Sequence, residues 1–150
     1  MARGAASPSR AKRRSVPKRY RYVIDDHGLV RGLENRSNSL IAAIQSGEVA
    51  IMRSASHLIR DAYPALYPAL QALDGKKLVD LTLTLQAEMG VLMESYGARA
   101  LGGIPGRAYF EAAILAKAHS ATLVTHAKGL SVGRGIVSHL GGTIISVDRI

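Results

Sequence analysis

Two acidic side chains sit where folding would bring them to one place. Asp25 closes the β-type stretch YRYVID (20–25). Glu111 stands near the head of a short amphipathic helix that runs, through a tight connection, into the apolar stretch ATLVT (121–125). In an α/β sheet, ligands bind in the crevice beyond the carboxyl ends of the strands. Two carboxylates converging there make a site for a hard metal cation possible. Each acid also has a plainer reading. Asp25 is a good residue to cap the turn after its strand, and Glu111 is favoured near a helix N-terminus by the dipole alone.

The elements that must position these acids follow from the hydrophobic pattern. Residues 20–25 alternate and are rich in β-formers, and Asp26-His27-Gly28 reads as a break. NSLIAAIQS (38–46) reads as a helix stopped by Gly47, and Val49 to Met52 as a short strand. Ser54 or Ser56 then caps a helix through Arg60, and Pro64 and Pro68 start or interrupt a further turn. Leu78, Leu81, Leu85, Met89 and Leu92 recur at helical spacing, which predicts a long helix over 77–96. Its LTLTL segment alternates as a strand would.

Four glycines and a proline make 97–106 a loop. Residues 107–118 form the amphipathic helix, with Phe110, Ala113, Ile114 and Ala118 inward, and 122–125 a buried strand. Gly133 and Gly135 mark another loop, 136–140 gives a helical turn, and 143–147 a closing strand. Strands alternating with helices imply right-handed crossovers and a mainly parallel sheet.

Charge divides the chain. The net charge is +9, yet eight basic residues precede the first acid, Asp25, leaving 12 basic against 11 acidic side chains from Asp25 onward. The positive charge therefore belongs to an arm, residues 1–19, attached to a nearly neutral domain, residues 20–150. The arm is too polar to bury a face and is expected to be disordered when free. Arg13, Arg14, Lys18 and Arg19 in it suit phosphate neutralisation with strong salt dependence; a solubilising leader or a start-site artefact is the bland alternative.

Several other chemistries lose their support. The chain has no cysteine, which removes disulfides and thiolate zinc sites. No apolar run reaches the roughly 18 residues of a membrane span, so a cytoplasmic location is the default expectation. LGGIPGR (101–107) and GLSVGRG (129–135) lack the ending of a phosphate-binding P-loop. They read as loops at the crevice rim, where Arg107 and Arg134 are placed to hold phosphates. His27, His119 and His139 show no partner spacing, and Glu88 and Glu94 read as a solvated helix face.

Three segments together resemble a known family. YVIDDHGL, SGEVAIMRSASHLIRD and EAAILAKAHSATLVTHAKGL are similar to the strand and helix units of PIN domains, the fold of metal-dependent ribonucleases that includes the VapC-type toxins of toxin–antitoxin pairs. The resemblance spans 20–150 and implies a three-layer α/β/α fold with a mainly parallel central sheet. It also implies a Mg²⁺- or Mn²⁺-dependent endoribonuclease activity, an RNA substrate and an antitoxin-like protein partner; a homodimer is the commonest symmetric arrangement.

Carried over by position, the family's acids fall on Asp25, on His57 or Leu58, on Glu111 and near Ala127. Two of the four places therefore hold no acid, and the third holds Glu where Asp is usual. The resemblance makes Asp25 and Glu111 the catalytic metal ligands. Asp26, His57 and His126 are candidates for the vacated places, and imidazole there shifts preference toward Mn²⁺. The alternative is a nucleic-acid- or protein-binding module in which the scaffold survives without the chemistry.

Overall fold

The computed structural model describes residues 20–97, 106–131, 140 and 142–150. The basic arm with Arg13, Arg14, Lys18 and Arg19, most of the 97–106 loop, and the 133–139 segment with Arg134 lie outside the described residues.

Strand β1 is Tyr22–Ile24, followed by helices α1, Asp26–Glu34, and α2, Asn38–Gln45. Strand β2, Val49–Met52, leads into α3, Arg53–Ala62, then α4, Tyr67–Gln71, and β3, Lys77–Val79. Helix α5 is Leu83–Gly97 and α6 is Arg107–His119, which delivers the chain to β4, Thr122–Thr125. A short helix α7, Lys128–Ser131, precedes β5, Thr143–Ser146, and the closing 3₁₀ helix, Val147–Arg149.

The five strands form one sheet in the order β3-β2-β1-β4-β5, with every pairing parallel. A parallel sheet covered on both faces needs strands that are apolar on both sides. That is why VAIM in β2 is buried at all four positions and why Val23 and Ile24 are both fully enclosed.

Alternation divides the strand residues between two cores. Val23, Ala50, Met52 and Leu123 pack with Tyr109, Phe110 and Ile114 of α6 and with Met89 and Leu92 of α5. Ile24, Val49, Ile51 and Val124 pack with Leu29 and Leu33 of α1, Leu40 and Ile44 of α2, and Ile59 of α3. The result is the expected three-layer α/β/α architecture. No described helix is long and apolar enough to cross a membrane.

Helix α2 illustrates how local sequence sets an element. Ser37 is its N-cap, with Oγ accepting from the Leu40 backbone N at 3.3 Å, while Leu40 and Ile44 turn inward one helical turn apart. Replacing Ser37 by Ala leaves that amide without its partner and is expected to cost about 1 kcal/mol, read as a lower urea midpoint.

Four local expectations are corrected. Asp26-His27-Gly28 ends the strand as expected, but does so by opening helix α1 rather than by forming a turn. Residues 77–79 are strand β3, so the long helix starts only at Leu83; the LTLTL alternation (81–85) forms no strand, its last three residues opening the helix. Helix α3 begins at Arg53 behind Met52, with no side-chain cap from either Ser54 or Ser56. Ala118 faces solvent, although Phe110, Ala113 and Ile114 are buried as expected.

Candidate functional site at the carboxyl end of the sheet

Asp25 is the residue that follows β1, at the centre of the sheet, and it is fully buried. Its register neighbour across the β1–β4 pairing is Thr125, since Ile24 pairs with Val124. The Thr125 hydroxyl donates to Asp25 Oδ2 at 2.7 Å, and the Gly28 backbone N donates to Oδ1 at 2.8 Å. The same carboxylate therefore caps α1 and ends β1. No basic side chain pairs with it among the described residues.

Burial without a cation pushes the Asp25 carboxyl up to about 7; the bonds from Thr125 and Gly28 oppose the rise, and the Asp26 charge adds to it. Tyr109, buried in the α6 layer, has its hydroxyl pushed up as well, first by burial and then by the Asp25 charge. Near neutrality the centre thus holds a carboxyl poised between its two forms, a condition that a bound cation would resolve toward the anion.

Two glycines allow this packing. A Cβ at Gly28 would lie 2.8 Å from the Val124 carbonyl oxygen and 3.1 Å from Thr125 Cα, so α1 approaches β4 only because that atom is missing. Gly129 in α7 is tighter still: a Cβ there would collide with Thr125 Oγ1 and come within 2.9 Å of Asp25 Oδ2. The turn that lays α7 over the site passes through Ala127 at φ 51°.

Asp26 and His27 lie in the first turn of α1, where the change from strand to helix swings them beside Asp25. Asp25, Asp26 and His27 each offer one ligand atom, and these atoms lie within 4.8 Å of one another. Two ligands of one Mg²⁺ are at most about 4.2 Å apart, so a small side-chain adjustment brings the three into range. Asp26 and His27 also open onto a cleft of about 190 Å³, lined as well by Arg31, Tyr63, His126 and Ala127. Three buried side-chain atoms lack a hydrogen-bond partner among the described residues: Asp26 Oδ1, His27 Nε2 and His126 Nδ1, and all three residues line this cleft. Such atoms are costly in a native interior and call for a water, an ion or a ligand.

Glu111 is differently placed. It lies on the buried face of α6, and both its oxygens have protein donors: the Ser54 hydroxyl bonds to Oε1, and Arg107 Nε lies 3.3 Å from Oε2. Ser54 is in the first turn of α3, just beyond β2, so this pair too stands at the carboxyl end of the sheet. Glu111 joins no three-residue ligand group among the described residues. Arg107, expected at the rim for phosphate, is largely exposed and turns its Nε to Glu111 instead.

Of the remaining candidates, His57 is exposed on α3 and outside the ligand group, while His126 reaches the cleft without joining the group. Sequence reasoning missed His27, because DDHG looks like a turn until Asp25 is seen capping a helix. Glu88 is solvated as expected, 3.8 Å from Lys117. A larger cleft of about 480 Å³ lies between α5 and α6, and none of the expected site residues lines it.

No protein-family model matches the chain, and comparison with curated proteins finds no match.

Proposed function

We propose that this chain is a PIN-like, metal-dependent phosphodiester hydrolase acting on RNA, with its ion held by Asp25, Asp26 and His27. The observation that supports the reading most is the convergence of those three ligand atoms at the carboxyl end of the central strand. The unpartnered Asp26 Oδ1 and His27 Nε2 add to it, being buried donor atoms of the kind a cation satisfies. The mixed carboxylate and imidazole set favours Mn²⁺ over Mg²⁺.

A divalent cation supplies a water of lowered pKa and neutralises charge building on the phosphate. The chain's own contribution is positional. Thr125 and Gly28 fix both oxygens of Asp25, α7 closes over that carboxylate through Gly129, and the adjoining cleft provides room for the groups around the scissile phosphate. The basic arm would add sequence-independent affinity for the RNA backbone.

The test is cleavage of single-stranded RNA by the purified chain with Mn²⁺ or Mg²⁺ and its loss in EDTA. Deleting residues 1–19, which carry seven basic side chains, is expected to weaken RNA binding and to flatten the dependence of affinity on salt by up to about 0.7 per neutralised phosphate. An unchanged slope would take the arm out of the interaction.

One observation favours the second reading, a binding module without catalysis. Glu111 already has Ser54 on one oxygen and Arg107 on the other, so it meets its charge within the protein. Salt-sensitive RNA binding with no cleavage under any divalent ion is the outcome that selects this reading.

A further inference from the structure

The cleft beside Asp26 contains one group to which the proposed reaction has so far given no part. His126 follows β4 directly, and its Nδ1 is buried, with no hydrogen-bond partner among the described residues. The nearest acid to it is Asp148 in the closing 3₁₀ helix, with Oδ2 at 3.9 Å. Asp148 is itself steadied: Ser146 Oγ accepts from its backbone N at 3.2 Å, and Arg31 Nε lies 3.4 Å from Oδ1. Arg31, Asp148 and His126 thus form a chain from α1 to the end of β4, ending on the cleft that Asp26 and His27 also line.

We propose that His126, oriented by Asp148, donates a proton to the leaving oxygen of the phosphodiester. This role rests on the hydrolase reading above. An alkoxide leaving from ribose is strongly basic, and a positioned acid that protonates it as the bond breaks contributes about 10²–10⁴-fold. Imidazole is the side chain suited to that task near neutral pH. A carboxylate that engages Nδ1 would orient the ring and leave Nε2 for the substrate. Water or a small ring rotation closes the 3.9 Å gap, as catalytic hydrogen bonds are often long before substrate binds.

Several charged and titratable groups surround the ring. Asp26, His27, Arg31 and Glu34 face the cleft from α1, Tyr63 borders it after α3, and Asp148 stands behind the ring. In the step itself, water adds its hydroxyl to phosphorus and its proton passes to solvent. The P–O bond to the leaving group breaks as the Nε2 proton transfers to that oxygen, and His126 then regains a proton from solvent. The products are an alcohol and a phosphomonoester.

Leaving-group dependence tests the role. With Mn²⁺, the full chain is assayed on a short single-stranded RNA and on bis(4-nitrophenyl) phosphate, whose nitrophenolate departs without being protonated. His126→Gln is expected to lose about 10²-fold or more on RNA, and at least about tenfold less than that on the aryl ester. Its affinity for the same RNA in EDTA is expected to stay within about twofold of the parent. Asp148→Asn is expected to shift selectivity between the two substrates in the same direction by a smaller factor.

Equal losses on both substrates, no loss on RNA, or a large fall in metal-free affinity would each overturn the assignment. Failure of the parent chain to hydrolyse either substrate would instead overturn the hydrolase reading, and this role with it.

Discussion

Asp25→Asn is expected to reduce metal-dependent RNA cleavage to background while making the metal-free protein more stable above neutral pH. The two effects have one origin. Asp25 is a buried carboxyl whose pKa rises from its ordinary 3.8 to about 7 in the fold. Between those values the folded state holds the proton more tightly than the unfolded state does. The free energy of unfolding therefore falls as pH rises through that window, by up to about 1.4 kcal/mol per pH unit, and levels off above it.

Asn keeps the shape and both bonds, its carbonyl oxygen accepting from Gly28 and its amide donating to the Thr125 hydroxyl, without the buried charge. Urea unfolding in EDTA should show parent and variant close together at pH 4 and the variant ahead at pH 8. Added Mn²⁺ should restore the parent at pH 8, because an ion bound only to the native state stabilises it, and should leave the variant where it was. Parallel pH profiles for the two proteins would contradict the assignment of the buried charge.

Gly129→Ala is expected to destabilise the protein by about 1–3 kcal/mol and to depress cleavage beyond what lost stability accounts for. The added methyl would overlap Thr125 Oγ1 and crowd Asp25 Oδ2 at 2.9 Å and His27 Cδ2 at 3.2 Å. Either α7 lifts away or the Thr125–Asp25 bond breaks, and both disturb the carboxylate. Ser131→Ala, an exposed position in the same short helix, serves as the control and should shift stability by no more than about 0.5 kcal/mol. A Gly129→Ala protein with the parent's unfolding midpoint and activity would show that α7 does not bear on the site.

The architecture was legible because its signals were redundant. Apolar runs at 49–52 and 122–125, bracketed by helical segments, left little choice but parallel strands covered on both faces. The errors fell where one residue served two purposes. Asp26-His27-Gly28 reads as a break, and no helix was expected over 26–34, where Gly28 and Gly32 fall. In the fold they are points of contact, Gly28 against the Val124 carbonyl and Gly32 against the Leu40 side chain, where the absence of a Cβ matters more than helix propensity.

The site was legible in the same uneven way. Asp25 was visible because an acid after a β-type run marks the end of a strand. His27 was not, since its position beside Asp25 depends on α1 starting one residue after the strand ends. Glu111 was expected to share a metal with Asp25, and nothing in the sequence shows that Ser54, some 57 residues earlier, takes one of its oxygens.

The sheet order carries a consequence for the chain as it is being made. Strand β1 is central, yet one of its two neighbours, β4, comes late: the hydroxyl that bonds Asp25 belongs to a residue 100 positions further along. Pairings between such distant segments form slowly, and domains acquire their structure as synthesis proceeds from the N-terminus. A nascent chain that stops short of Thr125 holds Asp25 without its partner strand or the covering α7. On the ribosome, then, the centre around Asp25 stays unassembled until most of the polypeptide has emerged.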